Sequence, residues 1–195
     1  APFLAIRKRF ACNESRGIEI SCIGRGELPV DNFGLWIHTF NGHFIRNLTG
    51  TRQANISTIV LSCSNDDEGD YLCQAWTRIK DIRQLNNVSN KVVIQGPPKV
   101  TEKYLKKVHG EYELSLQVYS ASVPIKAEWY KGTDQIANSS IYTQTVAEVL
   151  THRRMYGKVI TAAGYSVKLA IKKTSADIKK TKIFSFRDKF TWTCD

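Results

Sequence analysis

Residues 67–73 read Asp67-Glu68-Gly69-Asp70-Tyr71-Leu72-Cys73. An acidic pair and a glycine are followed by Tyr71 and Cys73 alternating about Leu72. That is the pattern of a turn feeding a β-strand. Working outward, the same period recurs. Gly17–Ile23 alternates, with Ile18, Ile20 and Cys22 on one side. Leu35–Phe40, Ile56–Cys63 and Lys91–Ile94 are further short strand-like runs, and the quoted stretch continues as Asp70–Trp76. Past residue 100, Tyr112, Leu114, Leu116 and Val118 alternate, as do Val167, Leu169 and Ile171. No long amphipathic helix pattern is found. The least regular region is Ile141–Gly164, in which Thr145–Leu150 fits either a helical turn or a strand. Many short strands at regular spacing predict an all-β chain built as sandwiches.

Composition sets the class. The chain has 195 residues, 42% hydrophobic and 24% charged, enough for two cored domains and too apolar for disorder. Gly96-Pro97-Pro98 resists both helix and sheet, so it reads as a stiff linker between domains at 1–95 and 96–195. No apolar run approaches the ~18 residues of a membrane span. Phe3–Ile6 is too short, and too closely followed by Arg7, Lys8 and Arg9, to be a signal core, so the chain is read as mature and without a membrane span. Asn13, Asn47, Asn55, Asn87 and Asn138 each open an Asn-X-Ser/Thr sequon with no proline inside it. Five such sites predict an extracellular glycoprotein, secreted or the ectodomain of a membrane protein. The cysteines agree. Cys12, Cys22, Cys63 and Cys73 are an even set in the first half, and Cys194 is left over. Net charge is +10, with seventeen Lys/Arg against nine Asp/Glu after residue 95 and eleven against nine before it. A secreted basic surface suggests acidic glycan or an acidic partner, or simply a solubilising face.

Cys22 on an alternating strand, Trp36 fourteen residues later, and Asp67-x-Gly69-x-Tyr71-x-Cys73 together resemble the immunoglobulin superfamily. The resemblance implies a disulfide between Cys22 and Cys73, joining strands B and F across a sandwich with the Trp36 indole packed against it. It implies that the Tyr71 hydroxyl turns back onto the backbone at a corner and that Gly69 permits the tight turn into strand F. The spacing leaves the domain between variable-like and intermediate-like. A second disulfide, Cys12–Cys63, suits the same end of such a sandwich, and a Cys12–Cys22 bridge does not.

The second half resembles the same family more weakly. Pro124–Tyr130 looks like the approach to strand C, with Trp129 in the core and Leu116 where strand B's cysteine would stand. Val167–Ile171 looks like strand E. One frame takes Asp177 as the corner, sets Ile183 opposite Leu116 in place of a disulfide and leaves Cys194 unpaired on strand G. Another takes Asp188, Trp192 and Cys194 as the motif but leaves nothing for strand G. The first is preferred because it completes the sandwich. The fold expected is therefore all-β, two tandem immunoglobulin-like β-sandwiches, the second lacking the B–F disulfide.

Alternation also sorts the faces. With Trp36, Tyr71 and Cys73 pointing in, Leu35, Ile37, Leu72, Gln74 and Trp76 point out, with Phe44 nearby. Apolar residues on an outer face suggest a contact surface or packing against a neighbouring domain, loop or glycan. Arg78, Lys80 and Arg83 lie in a stretch running to Asn87, read as the loop between strands F and G. The loop before Trp36, with Phe33, is a second candidate. Lys172, Lys173, Lys179, Lys180 and Lys182, with Lys168, Arg187 and Lys189, are candidates for heparan sulfate, expected to share a face on adjacent strands E and F.

The rest is negative. His38 and His43 flank the turn Asn41-Gly42 but lack a third ligand for zinc, and His38 has the inward parity of Trp36. Asp66, Asp67, Glu68 and Asp70 suggest calcium, yet the corner motif explains two of them. No nucleophile elbow or phosphate loop occurs, so no enzyme and no cofactor are expected. Aromatic residues are not interleaved with the lysines, which argues against nucleic acid. The expected function is recognition of a protein ligand or receptor at a cell surface, self included, by the first domain. Alternatives are a soluble decoy, viral or parasitic, that sequesters a host cytokine or immune receptor, and a heparin-binding matrix module.

Overall fold

A computed structural model describes residues 3–9, 17–26, 29–79, 82–93, 98–109, 111–120, 128–131, 133–172 and 184–187. The described chain is nearly all β, with antiparallel sheets, no α-helix and a single turn of 3-10 helix at Asn65–Asp67. None of its helices is long and apolar enough to cross a membrane. The described residues fall into two compact units, one built on 3–93 with 155–158 and the other on 98–154 and 159–187.

In the first unit, β1 (Phe3–Arg9), β2 (Ile18–Arg25), β6 (Thr51–Gln53) and β7 (Ile56–Leu61) form one sheet in the order β1-β2-β7-β6. The second sheet is organised about β8 (Gly69–Ile79). Along one side runs β9 (Ile82–Val92). Along the other lie β3 (Val30–Phe33) and β4 (Trp36–Phe40), end to end, with β5 (His43–Leu48) beyond β4. Period-2 burial explains the core. Ile18, Ile20 and Cys22 of β2, Ile59 and Leu61 of β7, Trp36, Tyr71, Cys73 and Val92 form one buried cluster fed by both sheets. A disulfide joins Cys22 to Cys73 across it. The buried Trp36 donates its indole Nε1–H to Ser57 Oγ at 3.0 Å, so its polar atom is satisfied inside. Truncating a tryptophan so placed costs about 3–5 kcal/mol. Cys63 is disulfide-bonded as well. Cys12 lies outside the described residues, and so does the pairing expected for it.

The corner residues 67–73 act through hydrogen bonds. The Tyr71 hydroxyl donates to the Asp67 carbonyl at 2.7 Å. The Asp67 carboxylate is buried and accepts from Ser62 N at 3.0 Å, Ser62 Oγ at 2.7 Å and Arg46 at 2.6 Å. Gly69 has φ +141°, and a Cβ there would stand 2.3 Å from the Thr39 carbonyl oxygen, so no other residue fits. Asn41 and Gly42, with φ 48° and 78°, turn β4 into β5 as a two-residue hairpin loop requires.

The second unit holds β10 (Lys99–Val108), β11 (Glu111–Tyr119), β14 (Tyr142–Met155) and β15 (Lys158–Ile171) in the order β10-β11-β15-β14. β12 (Glu128–Lys131), β13 (Asp134–Ile136) and β16 (Phe184–Arg187) form a second sheet, β13-β12-β16. Leu116, Val118, Trp129, Ile136, Tyr165, Val167 and Leu169 make its core. Two expectations need correction. Residues 141–164 are not irregular: they belong to two fourteen-residue strands, joined through Tyr156 and Gly157 at positive φ. The register also fits neither frame for strand F. Trp129 pairs with Phe186, as Trp36 stands opposite Cys73 in the continuing β4–β8 ladder, so position 186 takes the cysteine's place. Ile183 and Cys194 lie outside the described residues.

Candidate binding face of the first unit

The outward residues of β4, β8 and β9 make up the candidate face. Register sets them side by side: Ile37 opposite Leu72, Leu72 opposite Ser89, Gln74 opposite Asn87, and Trp76 opposite Leu85. Leu35, at the junction of β3 and β4, is 49% exposed and Leu85 is 45% exposed, while Ile37, Leu72, Gln74 and Trp76 are half-buried. The loop expected over 78–87 is mostly strand, which adds Leu85 to the face. In the structure only residues 80 and 81 separate β8 from β9, so Arg83, Leu85 and Asn87 are strand residues. The missed signal was the alternation of Val88, Asn90 and Val92 against Leu85, Asn87 and Ser89. Phe33 likewise belongs to a strand, β3, and packs toward the core.

The expected residues do not all come together. Trp76, Leu85 and Leu35 gather at one end, where the Arg83 guanidinium lies 4.9 Å from the Trp76 ring centroid. Arg78 is exposed, faces Asp31 at 3.8 Å and pairs in register with Arg83. Such an exposed pair adds little stability. Phe44 is opposite Thr39, which pairs with Asp70. It is six residues of β8 away from Trp76, roughly 20 Å, and belongs to the other end of the face. Lys80 lies outside the described residues.

The sequons separate by environment. Asn47 is exposed and stands opposite Ile37, and Asn87 is exposed and accepts from Gln74 at 3.4 Å, so both sit on this outer face. Asn138 is exposed in the second unit and accepts from Gln144 N at 2.7 Å. Asn55 differs. It is half-buried and accepts from Val30 N at 3.3 Å, and the serine of its sequon is the buried Ser57 that holds Trp36. Asn13 lies outside the described residues.

His38 is fully buried, stacked 4.3 Å from the Tyr71 ring, with Nε2 2.9 Å from the Glu68 carbonyl. A carbonyl only accepts, so Nε2 carries the proton of the neutral ring. Burial lowers its pKa from the ordinary histidine value. Burial first, and Asp67 second, raise the Tyr71 hydroxyl well above the usual range. His43 is exposed. Among the described residues no cluster of three His, Cys, Asp or Glu side chains could hold a metal. The Asp67 carboxylate accepts from Ser62, Ser64 and Arg46.

The expected basic face falls mostly outside the described residues. β15 and β16 belong to different sheets. Lys172 is exposed, and Lys168 Nζ lies 3.5 Å from Glu113. Lys173, Lys179, Lys180 and Lys182 lie outside the described residues. Comparison with protein-family models finds no match, and comparison with curated proteins finds none either.

Proposed function

We propose that the chain is an extracellular binding protein of two immunoglobulin-like domains, whose first domain recognises a protein partner through the Leu35–Trp76–Leu85 end of its β4–β8–β9 face. The fold part of this reading is supported by sheet order. A four-stranded β1-β2-β7-β6 sheet faces one built on β5, β4, β8 and β9. A disulfide runs from β2 to β8, an indole sits on β4, and a tyrosine hydrogen-bonds back to its corner. The second unit repeats the order β10-β11-β15-β14 with Leu116 where the first has Cys22.

One observation carries the functional part. Leu35, Trp76 and Leu85 form an outward apolar cluster with an arginine stacked on the indole, on a face that elsewhere carries Gln74, Asn87 and Ser89. Aromatic and arginine side chains at the centre of an apolar patch are the residues that dominate protein interfaces. Glycans at Asn47 and Asn87 would stand around Ile37, Leu72 and Gln74 on the same face.

The test is a screen of the glycosylated chain, made multivalent, against arrayed cell-surface and secreted proteins, itself included, with and without excess heparin. A protein hit that persists in heparin supports the reading. Binding that heparin abolishes on every surface would transfer the function to the lysines.

A further inference from the structure

A cleft of about 520 Å³ opens beside Trp76. It lies along β3, which among the described residues pairs only with β8. Its walls are Phe33, Gly34, Leu35 and the Trp76 indole, and its rim carries Arg52 and Arg83. The volume is that of a small-ligand site, enough for one or two side chains. The two arginines come from distant parts of the chain, and each guanidinium overlies an aromatic wall. Arg83 is 4.9 Å from the Trp76 centroid and Arg52 is 5.9 Å from that of Phe33.

Arg52 is held in place by neutral acceptors. Its Nη2 lies 3.3 Å from the carbonyls of Val30 and Asp31, its Nη1 3.4 Å from Asn32 Oδ1, and its Nε 3.4 Å from the Ala54 carbonyl. These contacts are long. They orient the group and leave its charge in place. Among the described residues neither Arg52 nor Arg83 has a carboxylate partner. Two positive charges on a cleft lined by Phe33, Leu35 and Trp76 together with Asn32, Thr49 and Ser57 therefore lack a carboxylate partner among the described residues, and arginine is the residue best suited to grip a carboxylate in such a setting. The count is also limited. Asp31, next to Asn32, gives its carbonyl to Arg52 and faces Arg78 with its carboxylate at 3.8 Å. A polysulfated chain crossing the site would meet that carboxylate, whereas a single acidic group between Arg52 and Arg83 would not.

We propose that this cleft receives one acidic side chain of a protein partner, its carboxylate between Arg52 and Arg83 and its apolar neighbour against Trp76 and Leu35. The inference deepens the reading of the outer face, since the cleft opens at the end of that face where Leu35, Trp76 and Leu85 gather. It names the chemistry of the partner's anchor: an Asp or Glu beside an aromatic or aliphatic residue.

The test uses the whole chain and no partner. The indole Nε1–H signal of Trp76, assigned by its loss in Trp76→Phe, is followed by NMR during titration with the blocked dipeptide acetyl-Glu-Phe-amide. The same titration is run with acetyl-Gln-Phe-amide and with a sulfated heparin disaccharide. The acidic dipeptide should move the Trp76 signal at millimolar concentration, and the neutral one should bind about tenfold more weakly. Arg83→Gln, an exposed position on β9 whose loss leaves the core untouched, should weaken the acidic dipeptide about tenfold, and Arg52→Gln should do the same. Arg25→Gln, on β2, should change nothing. Equal binding of the two dipeptides, or binding indifferent to both cleft arginines, would overturn the proposal. A Trp76 shift with the disaccharide alone would overturn it in favour of an acidic glycan. Because the titration needs no partner, its failure leaves the face reading standing, and a failed partner screen leaves the cleft standing.

Discussion

Replacing Tyr71 by phenylalanine removes one oxygen from the first unit's corner and little else. The ring keeps its stack on His38 at 4.3 Å, with the planes 9° apart. What goes is the hydroxyl that donates to the Asp67 carbonyl at 2.7 Å. Two costs follow. The net worth of a buried hydrogen bond is about 1 kcal/mol, and a buried acceptor stripped of its donor costs about 1–3 kcal/mol. Asp67 is fully buried, so water does not replace the lost donor without opening the corner. The expected destabilisation is about 1–3 kcal/mol, which for a unit of this size lowers Tm by roughly 4–8 °C per kcal/mol. Urea unfolding of the disulfide-intact chain, followed by near-ultraviolet circular dichroism, measures it. A loss below about 0.5 kcal/mol, inside the range of ordinary surface substitutions, would refute the claim that this bond fastens the corner.

Gly69→Ala should be worse than Tyr71→Phe, because the new Cβ meets backbone, 2.3 Å from the Thr39 carbonyl oxygen, at φ +141°. Secretion yield and urea midpoint should both fall, and a near-normal midpoint would contradict the turn geometry. His38 sets a pH dependence. Its folded pKa is lowered by burial, so above the unfolded value of about 6.5 both states are neutral and its contribution is complete. As pH falls below that value the unfolded chain takes up a proton that the folded chain refuses, and stability is lost. Midpoints at neutral and mildly acidic pH should show this slope, and His38→Gln should flatten it; an unchanged slope would be contrary evidence. Glycopeptide mass spectrometry of the secreted chain should find glycan on Asn47, Asn87 and Asn138 and an unmodified Asn55. Full occupancy of Asn55 would contradict the role given to Val30 N and Ser57.

The first unit was largely legible because its elements are fixed by short-range chemistry. A corner glycine, a tyrosine and a cysteine at period 2 define β8, and alternation placed Leu35, Ile37 and Trp76 outward with Trp36 and His38 inside. The errors came where local signals were weak. The sequence between β8 and β9, Lys80-Asp81, carries no glycine to signal a hairpin, so a charged strand reads as a loop and Leu85 goes unnoticed with it. The β14–β15 hairpin turns through Tyr156-Gly157 and not through Asn-Gly, and exposed Leu150 and Val159 blur its alternation. Arg52 could not have been assigned to the cleft from sequence, since only the crossing from β5 to β6 brings it beside β3. The strand F frame failed for a related reason: with no cysteine to mark the register, Phe186 looks no different from Ile183.

The most direct measurement compares two variants of the multivalent chain on whichever protein the array screen returns. Trp76→Ser/Leu85→Asp alters the Leu35–Trp76–Leu85 end of the β4–β8–β9 face. Val60→Asp alters an equally accessible residue, 67% exposed, on β7 of the opposite sheet. The account predicts that the double variant, folded by its circular dichroism and urea midpoint, loses at least about 2 kcal/mol of affinity, as hot-spot truncations do, while Val60→Asp binds like the parent. Retained binding in the double variant, with loss in Val60→Asp, would put the recognition surface on the other sheet and contradict the account.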